Sequence, residues 1–258
     1  MFELPIEIPR KNDYTRRILL ILCILKGSAF YMKIKKEQIV DLSHPLLCGR
    51  ENFPYEAILG EESRLWPDNW YIECTATLAA HAGTHVEVPY HHDIHGMDCM
   101  TFPVDQLIGE CTVIDCRGKE PGEEITLEDV KKVEGQIQDG DIVFLFTGYD
   151  QYFRKENWQP YPPLSMEALQ WLMQYHPKII GTDASGVEIS DGYDAEGRMH
   201  EIFGEPIHVT CFQNNIAIGE SLTNLGAILG ERTTVFVLAL PMQGMDASPC
   251  RIVAIRDL

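Results

Sequence analysis

Five of the nine histidines, His81, His85, His91, His92 and His95, fall within fifteen residues, beside Glu87 and Asp93. Neutral imidazole and carboxylate are the ligands of zinc, manganese or iron in sites that also hold water. In an extended chain His85 and Glu87 point to one face and can reach a single ion. His81 shares that parity, with Gly83 and Thr84 bending the backbone between them. Three protein ligands leave a position for water and lower its pKa to about 7, giving hydroxide at neutral pH and a Lewis acid for a carbonyl. His91 could then take the water's proton and return it to a leaving nitrogen, since imidazole titrates near neutrality. The competing reading is a set of structural or surface histidines. It suits a lone histidine better than several beside a carboxylate within eleven residues.

A helical arrangement of His81 and His85 fails on composition. Gly83, Thr84, Val86, Val88 and Pro89 are poor helix material. Position 82 is alanine, so the H-E-x-x-H zincin pattern is absent. Pro89 stiffens the exit toward His91.

The elements that must hold these groups read as a mixed α/β domain. Strands are expected at Ile39–Ser43, Tyr71–Leu78, Thr112–Cys116, Ile142–Phe146, Lys178–Asp183, Ile216–Ile218, Val235–Leu240 and Arg251–Ala254. The T-x-x-D sequence Thr126–Asp129 opens a helix to about Val133, and Ser165 caps a second. Strands outnumber helices and alternate with them irregularly, which disfavours a regular βαβ series. Aromatic stretches at Trp66–Trp70 and Tyr152–Pro163 are loops that could serve as surface turns or as lids over a small-molecule site. A third loop, Ala184–Pro206, is rich in glycine and acid.

The 258-residue chain supports one large domain. A net charge of -18 excludes a phosphate-backbone partner. Eight cysteines without a C-x-x-C pair suit reduced thiols in a cytoplasmic protein. The apolar run Ile18–Leu25 is far shorter than the roughly 20 residues that cross a bilayer, so no membrane partner is expected. Residues 1–31 read as an N-terminal extension and residues 32–258 as the catalytic domain.

The segment His81-Ala-Gly-Thr-His-Val-Glu-Val-Pro-Tyr-His91 resembles the H-x-G-T-H-x-D-x-P-x-H signature of the cyclase family of metal hydrolases, with Glu87 in place of aspartate. This family includes bacterial-type kynurenine formamidases and isatin hydrolase. Asp41-Leu-Ser-His-Pro45, Thr147-Gly-Tyr149, Gly181-Thr-Asp183, Glu220-Ser-Leu-Thr-Asn-Leu225 and Gly244-Met-Asp-Ala-Ser-Pro249 extend the resemblance in the family's order. It implies a swivelling β/β/α fold, a homodimer or homotetramer, and a small-molecule substrate. It implies further that His81, His85 and Glu87 bind a first zinc or manganese ion, with His91 as acid/base. His208, twelve residues before Glu220, would share a second ion with that glutamate; His200 is disfavoured by spacing. Glu220 would otherwise orient the water.

The departure at Glu87 favours one ion, because its longer chain must fold back to reach two. The implied reaction is hydrolysis of an aryl formamide such as N-formylkynurenine. The alternatives are a cyclic amide of the isatin type, a lyase or dehydratase, or a non-catalytic metal-binding protein on the same scaffold.

Overall fold

The computed structural model describes residues 34–60, 63–66, 69–156, 158, 160–189 and 205–257. The expectations for residues 1–31 and for His200 lie outside the described residues. The strands are β1 (Ile39–Asp41), β2 (Tyr55–Leu59), β3 (Ser63–Trp66), β4 (Asn69–Tyr71), β5 (Cys74–Leu78), β6 (His85–Glu87), β7 (Ile108–Asp115), β8 (Ile142–Phe146), β9 (Ile179–Thr182), β10 (Ala217–Glu220), β11 (Thr233–Leu238), β12 (Ala247–Pro249) and β13 (Arg251–Arg256). Nine of them form one mixed sheet in the order β1-β13-β11-β7-β8-β9-β10-β6-β12. Strands β7 to β10 run parallel, and the flanking pairs are antiparallel. This is the mixed α/β class that the sequence implies.

The continuous apolar run of β8 follows from burial on both faces. Val143 and Leu145 join a core built with the helices, including Leu169, Leu172, Cys211 and Phe212. Ile142, Phe144 and Phe146 face a second core with Val113, Val235, Val237 and Ile252. Alternate residues thus bury on opposite sides, as a strand requires.

The helices Leu127–Val130 and Met166–Leu172 begin where their caps place them. Thr126 and Asp129 exchange side-chain-to-backbone hydrogen bonds, and Ser165 Oγ accepts from the Ala168 N–H. A 3₁₀ turn, Lys131–Val133, finishes the first. A third helix, Pro206–Gln213, was not legible as such; proline occupies its first turn, where a missing N–H costs nothing.

Two expected features differ. The strand expected over Tyr71–Leu78 is divided, with Tyr71 ending β4 and β5 starting at Cys74. Of the stretch Trp66–Trp70, expected as a loop, Trp66 ends β3 and Asn69 and Trp70 lie in β4, and the two strands pair antiparallel. Neither β2–β5 nor β3–β4 joins the large sheet. These ribbons satisfy their backbones against each other and need no alternating apolar face, so the sequence pattern marks them poorly.

Candidate metal centre and catalytic pocket

The centre is built on β6, which runs antiparallel between β10 and β12. In this register His85 stands opposite Glu220 on one side and Pro249 on the other. Glu87 stands opposite Ile218 and Ala247, so both carboxylates are placed by backbone pairing. His85, Glu87, His208 and Glu220 are all buried.

Gly83 makes the turn that brings His81 back to this strand. Its φ of +67° lies in the left-handed region, and a Cβ there would stand 2.5 Å from the Leu46 side chain. Thr84 pins the turn from both sides: its hydroxyl donates to the Ser221 carbonyl and accepts from the His44 N–H. After β6, Pro89 starts a 3₁₀ turn ending at His91. That turn returns His91 over Glu87, with Nε2 3.9 Å from Glu87 Oε1.

The ligand atoms form two triangles that share Glu87. On one side His81 Nδ1 lies 2.7 Å from Glu87 Oε1 and 3.3 Å from His85 Nε2. His85 Nε2 is 3.4 Å from the same oxygen. On the other, His208 Nε2 lies 3.2 Å from Glu87 Oε2 and 3.5 Å from Glu220 Oε1. Two ligands on one tetrahedral ion with bonds of about 2.0 Å stand about 3.3 Å apart. The donor set therefore fits divalent metal. Glu87 Oε2 is buried and out of alignment for a hydrogen bond to His208, so it has no partner of its own. A cation would supply one.

Each imidazole is also held from behind. His85 Nδ1 bonds the Gly83 carbonyl at 2.9 Å, and His208 Nδ1 bonds Glu188 Oε1 at 2.7 Å. His81 Nε2 and His91 Nδ1 both bond Asp246 Oδ2 at 2.9 Å. Such outer acceptors fix which nitrogen carries the proton and leave the inner one's lone pair free. Although burial opposes it, Glu87 and then Asp246 raise His81 to about 9. Burial likewise opposes the upward shift of His208, which Glu188, Glu220 and Glu87 impose. Glu87 is driven well below the usual carboxylate range against its burial, by His208, His81 and His85.

All six expected site residues, His81, His85, Glu87, His91, His208 and Glu220, line one cavity of about 200 Å³. Phe53, Trp158 and Tyr161 complete it on the outer side, so the Tyr152–Pro163 stretch does contribute wall to a small-molecule site. Asp246 and Glu188 escaped prediction as site residues. Asp246 lies within the G-M-D-A-S-P motif, but only the β12–β6 pairing, with Val88 N–H bonded to the Asp246 carbonyl, brings it under the histidines. Glu188 carries no sequence signal; it caps the Pro206–Gln213 helix through the Ile207 and His208 N–H groups.

The Cyclase family model, described as "Putative cyclase", matches residues 40–189. The chain belongs to the cyclase family. It is similar to the kynurenine formamidase of Erythrobacter litoralis, with 29% identity over 226 residues, 86% of this chain and 95% of the relative. The kynurenine formamidase of Bacillus cereus is 22% identical over 85% of this chain and 98% of its own length. Among solved structures, isatin hydrolase A from Ralstonia solanacearum superposes with a TM-score of 0.71 at 16% identity, covering 98% of this chain and all of that one. The swivelling cyclase-like fold is thereby shown, and this cyclase-family chain is an enzyme, a metal-dependent hydrolase. No helix among its described residues is long and apolar enough to cross a membrane.

Proposed function

We propose that this cyclase-family enzyme hydrolyses the C–N bond of an aryl formamide, with N-formylkynurenine as the leading substrate. The observation that carries the reading is the pocket itself, in which ligand triangles and a proton-transfer histidine stand under an aromatic wall. His81, His85 and Glu87 would hold one zinc or manganese ion, and His208, Glu220 and Glu87 a second. When bound, such ions supply Lewis acidity and lower the pKa of water to about 7.

The chain's own residues do the rest. His91 keeps its proton on Nδ1, where Asp246 accepts it, so Nε2 can take a proton from water and return it to the leaving nitrogen. Phe53, Trp158 and Tyr161 offer faces to an aryl group and exclude bulk water from beside the scissile bond. The kynurenine formamidases of similar sequence favour an acyclic formamide. The isatin hydrolase likeness keeps a cyclic amide as the second reading, since a fused ring would meet the same aromatic wall.

Two ions are favoured over the one that side-chain length suggests. The support is the orientation of Glu87, whose oxygens face opposite triangles without leaving the strand register. Metal analysis of chelator-free protein tests this: two equivalents are expected, and His208→Ala should remove one. An unchanged metal content in that variant would refute the second site. A screen of formanilides against isatin-like lactams then decides the substrate. We further propose a homodimer or homotetramer in the cytoplasm, as the family resemblance implies; sedimentation of the purified chain would measure the former.

A further inference from the structure

His92 and Glu205 take no part in the two triangles, yet they stand beside them. His92 Nε2 lies 2.7 Å from Glu205 Oε2, and the His91 and His92 rings are 4.8 Å apart, centroid to centroid. One ligand atom from each of His91, His92 and Glu205 lies within 4.8 Å of the other two. Their side chains remain 26%, 20% and 27% exposed, so a cation can reach them from solvent.

Among the described residues, Glu87 Oε1, 3.9 Å from His91 Nε2, is the nearest carboxylate of the buried centre to these atoms. Asp246 holds His91 through Nδ1, which leaves Nε2 as the nitrogen able to bind. The His92 ring is fixed by stacking on His208, with centroids 5.5 Å apart and planes at 25°, and by Phe212 at 5.7 Å. Two oriented imidazoles and a carboxylate, with room for water, form a set suited to zinc.

We propose that His91, His92 and Glu205 form a third, rim cation site whose occupation by zinc inhibits the enzyme. The inhibitory part rests on the reading of His91 as the acid/base. Zinc on His91 Nε2 takes the lone pair that proton transfer requires, while neutral His92 carries its ring proton on Nδ1 and offers Nε2, beside Glu205, to the ion. The rim ligands are more exposed than His85, Glu87, His208 and Glu220 of the buried centre. The site therefore fills after the centre, and excess zinc acts as an inhibitor where the first equivalents activate.

The test uses the intact, metal-loaded protein and zinc alone as the probe. His92→Phe keeps a ring against His208 but removes the ligand atom. Equilibrium dialysis should show wild type binding one more zinc than His92→Phe, at concentrations above those that fill the centre. Over that range, turnover of whichever aryl amide the substrate screen yields should fall at least tenfold in wild type and hold steady in His92→Phe. Equal zinc stoichiometry in the two proteins would overturn the proposal, as would inhibition of both alike. His91→Ala separates this from the underlying reading. If that variant retains its activity, the acid/base role fails; if it is inactive while a filled rim leaves wild type active, the rim proposal fails alone.

Discussion

The β6 wall and the β2–β5 ribbon are both short, both extended and close in sequence, yet they differ in what holds them. Every residue of β6 is buried, and it has hydrogen-bonded neighbours on both edges. Every residue of β5 is exposed, and its ladder partner is β2 alone. The proposed ligands sit on the first kind of strand, and a ligand triangle tolerates only tenths of an ångström of error, which doubly paired backbone can supply. Phe53, just before the ribbon, and Trp158, in the long loop after β8, instead line the cavity beside the centre. Precision is built on paired strand, and adaptability on loop.

The comparison breaks most visibly where a ligand is lost. His85 lies under both neighbours of β6, with Nε2 facing Glu87 and, at 3.6 Å, Glu220 Oε2. His85→Ala should lose most of the bound metal, read by elemental analysis after dialysis, and with it all measurable turnover. Full retention of metal would show that the triangle around Glu87 Oε1 is not the metal centre.

His91→Ala should have the next largest effect and a different signature. Metal content should hold, while kcat falls by about 10²–10⁴, the usual contribution of a positioned acid/base. Loss of metal in this variant would make His91 a ligand, as its 3.9 Å approach to Glu87 Oε1 permits.

Asp246→Asn should show milder forms of both the ligand and the proton-transfer signatures, since one oxygen serves both His81 and His91. An amide oxygen can still accept both N–H groups, but without the negative charge that strengthens those bonds. Metal affinity should drop by about 10–100-fold, the range seen when an outer partner of a ligand is removed. In a His91→Ala background Asp246→Asn should still weaken metal binding yet leave the residual kcat unchanged. A metal affinity equal to wild type would assign Asp246 to His91 alone.

Much of this centre could be read from residue type and spacing. His81, His85, Glu87 and His91 lie within one local segment: strand parity aligns His85 with Glu87, and the turns at Gly83 and Pro89 return His81 and His91 to them. His208 and Glu220 came through resemblance alone, because helix-to-strand proximity is tertiary. Asp246 was hidden for the same reason: its place depends on β12 pairing with β6, which no local pattern records. The expectation of one ion followed from the length of the Glu87 side chain. The structure instead points its two oxygens toward different histidines. Buried strands such as Ile142–Phe146 were legible as apolar runs, whereas β2, whose Glu56, Ala57 and Ile58 are all exposed, was not.

The smallest effect belongs to the outer wall. Trp158 lines the pocket from a loop tied down by Arg154, which ion-pairs with the buried Glu51 and hydrogen-bonds the Pro45 carbonyl. Glu51 lies on the segment that leads to Phe53, so this clasp connects the two loops that carry the aromatic faces. Trp158→Ala removes one face but touches neither ligand triangle, and should leave metal content and thermal stability unchanged. Loss of a single aromatic contact is worth about 0.5–1.5 kcal/mol beyond area burial, so KM for an aryl substrate should rise roughly threefold to tenfold. Against a formamide without a ring the same variant should behave as wild type, because that substrate has nothing to place against the indole. An equal loss on both substrates would mean that Trp158 shapes the centre itself, and the division between precise strand and adaptable loop would fail at this point.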